Sequence, residues 1–96
     1  MASPAYALWK IRRAKRRSNA PRSGGFSRYE PDYRAALTAI RECAGDDAMD
    51  ELAEWVVAET ERTDRMPSGR KVRAQARKLC TDRDLPEPDD DALRPT

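Results

Sequence analysis

Two runs of basic residues hold most of the side chains in this chain that could do chemistry. The first, KIRRAKRR, brings Lys10, Arg12, Arg13, Lys15, Arg16 and Arg17 together. The second, RKVRAQARK, brings Arg70, Lys71, Arg73, Arg77 and Lys78 together. A guanidinium is a planar fork that pairs with two acceptors on a phosphate or a guanine edge, and an ammonium is a mobile point charge. Several such groups on one surface displace counterions from a nucleic acid, which gives strong, salt-sensitive and sequence-tolerant binding. The chemistry these residues suggest is polyanion recognition.

Bond-making chemistry finds little support. The chain has no histidine, so neither a Ser–His nor a Cys–His nucleophile can be built. The carboxylates fall at ordinary surface spacing, and SGGFS lacks the Lys-Ser/Thr end of a phosphate-binding P-loop. A zinc site needs about four Cys or His ligands in paired spacing. Only Cys43 and Cys80 are present, so no enzyme, metal or cofactor is expected. Both thiols read as reduced and buried, because each lies on or beside an apolar stripe where cysteine acts as a small hydrophobe.

The elements that carry these side chains read as helices. Ser3 is a cap and Pro4 a first helical residue for a short basic helix to about Arg17. A Pro/Gly/Ser linker, SNAPRSGGFS, follows. Tyr33, Ala36, Leu37, Ile40 and Ala44 repeat at helical spacing, with Cys43 at the edge of the stripe. Glu30 precedes a proline and is disfavoured in the helical region, so this helix is expected to begin at Pro31 and to stop at Gly45. Asp46 or Asp47 should cap the next helix, whose apolar face is Met49, Leu52, Ala53, Val56 and Thr60. Pro67 and Ser68 end one helix and start another, with Met66 or Pro67 as a staple against Val72. On that last helix Val72, Ala76, Leu79 and Cys80 form the inner face. Arg70, Arg73 and Arg77 lie opposite, flanked by Lys71 and Lys78.

The charge is segregated along the chain, so the net +2 conceals its layout. Residues 1–28 carry eight bases and no acid; residues 29–64 carry eleven acids and three bases. Residues 65–84 are basic again, and residues 85–96 hold Glu87, Asp89, Asp90 and Asp91 against Arg94. The expected organisation is all-α. It comprises a basic arm and linker (1–28), a small three-helix domain resembling a helix–turn–helix (29–84) and an acidic, mobile tail (85–96). The three apolar stripes lie within 29–84, so that span is expected to fold without the arm. No alternating apolar run or hairpin turn indicates a strand.

The run ERTDRMPSGRKVRAQARKLC is similar to the C-terminal part of small uncharacterised helical proteins of haloarchaea and their viruses. Those pair a short acidic helix with a Pro-Ser/Thr turn and a Val-Arg basic helix ending in Cys. The resemblance implies a small helical protein associated with nucleic acid.

Together these readings lead to a small protein that binds nucleic acid, duplex DNA first, through the arm and the Ser68–Cys80 helix. Two alternatives stand beside it. The basic face of the last helix could simply be solvated or paired with Glu51, Glu54 or Glu59. The chain could also be a structural or adaptor subunit of a larger assembly such as a virus particle, its arm docking on an acidic protein, with oligomers possible. No apolar run approaches the roughly 20 residues of a membrane span. The apolar YALWKI precedes the basic run, the reverse of a secretory signal. A cytoplasmic location, or one inside a particle, is expected.

Overall fold

The computed structural model describes residues 3–17 and 26–95, without the side chains of Arg16, Arg17 and Ser27. The described residues are all-helical: α1 (Pro4–Arg17), α2 (Phe26–Ala44), α3 (Asp46–Thr63), α4 (Gly69–Asp82) and a short 3-10 turn, η1 (Asp90–Leu93). None of these helices is long and apolar enough to cross a membrane.

The helix ends follow local chemistry. Ser3 opens α1, its hydroxyl accepting from the Tyr6 amide at 3.2 Å. Ser68 does the same for α4, accepting from the Lys71 amide at 3.2 Å, as the sequence indicates. Gly45 serves two helices. Its amide donates to the Arg41 carbonyl and its carbonyl accepts from Met49, at a φ of 93° that disfavours any residue with a Cβ. The α3 start differs from expectation: Gly45 occupies the cap position and no side chain caps it. Asp46 instead accepts from Arg41 Nε at 2.7 Å.

Helix α2 also departs from its expected start. It begins at Phe26 and carries Pro31 inside it. Proline lacks the amide that would bond the carbonyl four residues back. Tertiary packing outweighs that loss, since Phe26 and Tyr29 lie against the core and the Tyr29 and Tyr33 rings stack with centroids 5.8 Å apart. The expected linker spans 18–27; its last two residues, Phe26 and Ser27, belong to α2 instead, and 18–25 lies outside the described residues.

The core is common to all four helices. Tyr33, Ala36, Leu37 and Ile40 of α2, Met49, Leu52, Ala53 and Val56 of α3, and Val72, Ala76, Leu79 and Cys80 of α4 are buried together. Met66 joins the same cluster as Val72, as a staple should. Tyr33 ties α2 to the turn before α4 by donating its hydroxyl to the Pro67 carbonyl. Burial, chiefly, pushes that phenol far above its ordinary range. At Gly69 an added Cβ would sit 2.8 Å from the Asp32 carboxyl, so α4 meets α2 there without a side chain between.

Two expectations about the chain ends are corrected here. Ala7, Leu8 and Ile11 of α1 belong to the core, and Ala14 is buried too. The basic segment is thus a fourth packed helix and not an arm beside three. Its apolar residues fall at i, i+1, i+4 and i+7, one face of a helix. The tail is not loose either: Leu93 is fully buried and η1 packs on α2. Leu85 also packs against the core, so the acidic tail docks through two apolar side chains while its carboxylates find basic partners.

Candidate nucleic-acid interface

Helix α4 presents its basic residues in two groups. Arg70, Lys71 and Lys78 are exposed. Arg73 and Arg77, expected on the open face, turn toward the tail. Asp90 Oδ1 accepts from Arg73 Nε at 3.1 Å and from Arg77 Nη1 at 2.9 Å. Its other oxygen accepts from Arg94 Nε at 2.6 Å. Glu87 lies 3.2 Å from Arg77 Nε, and Asp32 lies 3.8 Å from Arg73 Nη1. The Arg73 side chain is left only 12% exposed. Hydrogen bonds from Arg94 foremost, then Arg77 and Arg73, hold the Asp90 carboxyl below its ordinary range.

This arrangement overturns two sequence readings. The open basic face of α4 is narrower than expected, because two of its arginines already hold carboxylates. Those carboxylates are also not the ones anticipated. Glu51 accepts from Arg83, Glu54 from Lys10 and Glu59 from Arg62, while the tail supplies most of the acid to Arg73 and Arg77. Glu87 and Asp90 follow Pro86, and nothing local shows that the chain turns back there. Leu93 was the available signal, an isolated apolar residue that needed burial.

Helix α1 presents a different surface. Its inner face is Ala7, Leu8, Ile11 and Ala14, so its outer face is Tyr6, Trp9, Arg12 and Arg13, with Lys10 on the flank toward α3. Arg12 lies over the Phe26 ring at 5.9 Å and Arg13 over the Trp9 ring at 5.5 Å. Among the described residues neither arginine has a carboxylate partner. Lys10 lies 3.0 Å from Glu54 Oε1 and 5.3 Å from the Tyr6 centroid. Lys15 is half-buried at the edge of the helix. The side chains of Arg16 and Arg17 lie outside the described residues.

Tyr6 and Trp9 stand beside the basic run in the sequence, but charge alone does not bring their rings together on its outer face. They are the exposed large hydrophobics of the described chain, 50% and 51% accessible. Their rings stack at 5.8 Å with an interplanar angle of 16°. The signal was in the spacing: Tyr6, Trp9 and Arg13 follow one another at i, i+3 and i+7, one stripe of a helix.

The cysteines also part company with expectation. Cys80 is buried, but Cys43 is exposed, and their sulfurs lie 3.7 Å apart as free thiols. Cys43 sits at the edge of the α2 stripe, where one face meets solvent. Burial first, then the hydrogen bond with Cys43, pushes the Cys80 thiol up to about 11. Among the described residues no cluster of His, Cys, Asp or Glu could hold a metal ion.

Comparison of the chain with protein-family models, curated proteins and solved structures finds no match.

Proposed function

We propose that this chain is a small nucleic-acid-binding protein whose principal contact surface is the outer face of α1. One observation carries the reading. The guanidiniums of Arg12 and Arg13 are held over aromatic rings with no carboxylate partner among the described residues, whereas Arg73 and Arg77 are taken up by the tail. A phosphate approaching α1 displaces no internal acid from these two arginines. At Lys10 it competes with Glu54 and the Tyr6 ring, and a partly exposed ion pair of this kind is worth about 1 kcal/mol. A phosphate approaching Arg73 must first displace Asp90. Arg70, Lys71 and Lys78 provide a secondary set of contacts on α4, and the helix–turn–helix comparison rests on those three.

Binding measured by fluorescence anisotropy across a salt series tests the assignment. The Arg12→Ala/Arg13→Ala variant should bind more weakly. Its salt slope should fall by roughly 0.9 for each phosphate no longer neutralised on duplex, or roughly 0.7 on a single strand. The Arg73→Ala/Arg77→Ala variant should keep the wild-type slope. The reverse pattern would return the site to α4.

A second reading, a structural or adaptor subunit, is favoured by the half-exposed Tyr6–Trp9 pair, since aromatic anchors often centre protein interfaces. It calls for co-purification with a protein partner that Trp9→Ala abolishes, and for no measurable nucleic-acid affinity.

A further inference from the structure

We infer that the Tyr6–Trp9 pair on α1 is a stacking platform for the unpaired bases of a single-stranded nucleic acid, an inference that rests on the nucleic-acid reading above and selects among its partners. The occupant is chosen by the combination of groups. Two aromatic rings stand half in water, stacked nearly parallel. The cations Lys10 and Arg13 lie over those rings at 5.3 and 5.5 Å. A shallow groove beside them is walled by Glu54 and Val57 of α3. A solvated face would bear polar side chains there, because exposing two large rings forgoes the free energy of burying them. A surface made only for duplex phosphates would need cations and no rings.

A single strand offers what this surface lacks: flat apolar faces to extend the ring stack, and phosphates within reach of the cations that flank it. Base-on-aromatic stacking combined with a basic track is how single strands are held without sequence preference. In a duplex the base faces are already stacked on one another and are closed to Tyr6 and Trp9. Helix α4, the element that could enter a duplex groove, has turned Arg73 and Arg77 inward onto Asp90. The surface therefore fits a single strand better than a double helix. Base faces are common to DNA and RNA, so both belong in the test.

The experiment uses the full chain and labelled strands of about 15 nucleotides, within the usual site size for such surfaces: oligo(dT), oligo(U) and an abasic deoxyribose-phosphate strand of the same length and charge. Oligo(dT), oligo(U) or both should bind about tenfold or more tightly than the abasic strand, the scale of one stacked base. Trp9→Ala should erase that advantage with helix content unchanged by circular dichroism, and Trp9→Phe should retain most of it. Preference for one sugar would support the inference and name the source of the strand. Equal affinity for the abasic and base-bearing strands would overturn it while leaving α1 as a phosphate-binding face. That comparison uses the wild-type chain and does not depend on a variant folding. No binding to any strand or duplex would overturn the nucleic-acid reading as well, and would hand the patch to a protein partner.

Discussion

At the scale of single residues, the side chains with one possible environment were legible and those with two were not. Val72, Ala76, Leu79 and Cys80 are buried as a four-residue stripe should be. Cys43 had two possible sides and took the wet one. In the native chain Cys43 should therefore react quickly with a thiol reagent, while Cys80, buried and with its thiol pushed up to about 11, should react slowly. Mass spectrometry of a timed labelling reaction should show one adduct long before the second; two adducts at equal rates would contradict the packing of α4. Tyr33 is a second residue whose role came only with the fold. Its hydroxyl is buried and satisfies the Pro67 carbonyl. Tyr33→Phe keeps the ring but leaves that acceptor unpaired, and should cost about 1–3 kcal/mol in chemical denaturation. A loss below a few tenths of a kcal/mol would mean that water reaches Pro67.

At the scale of elements, the α3 and α4 faces were readable because their apolar residues recur with the helical period and their neighbours are charged. The start of α2 was not, because Pro31 is a local signal and the packing of Phe26 and Tyr29 is a tertiary one. The tail hides its docking for the same kind of reason. Its acids look like a solvated run until Asp90 meets Arg73, Arg77 and Arg94. That clamp makes a pH prediction. Asp90 is held below its ordinary range in the folded chain, so its contribution is present above the unfolded carboxyl value of about 3.9 and is lost as pH falls through the folded value. The Leu93 methyl resonances should leave their buried positions only in acid below about pH 4. Asp90→Asn should move them away from those buried positions at neutral pH. Resonances that stay fixed in acid and in the variant would show that apolar packing, with Leu85 and Leu93 against the core, holds the tail without the clamp.

At the scale of the whole molecule, the largest difference between sequence and structure is the first segment. Composition marks it as an arm, since charge dominates it, yet Leu8 and Ile11 are inserted among the other helices. Burying those two side chains is worth roughly 3–6 kcal/mol, against a net stability of about 5–15 kcal/mol for a typical domain. Deleting residues 1–28 should therefore abolish or greatly weaken cooperative thermal melting, where the sequence alone suggested an independent 29–84 domain. A truncated chain that melts cooperatively near the full-length temperature would restore the arm. Packing α1 into the core also fixes its outer face, so that Tyr6, Trp9, Arg12 and Arg13 form a positioned surface. The most direct test of that surface is nuclear magnetic resonance of the isotope-labelled chain titrated with an oligonucleotide. The indole signal of Trp9 and the amides of Tyr6 to Arg13 should shift progressively, and the Arg73 and Arg77 side-chain signals should stay in place. Shifts concentrated on α4, or none at all at saturating oligonucleotide, would contradict the account.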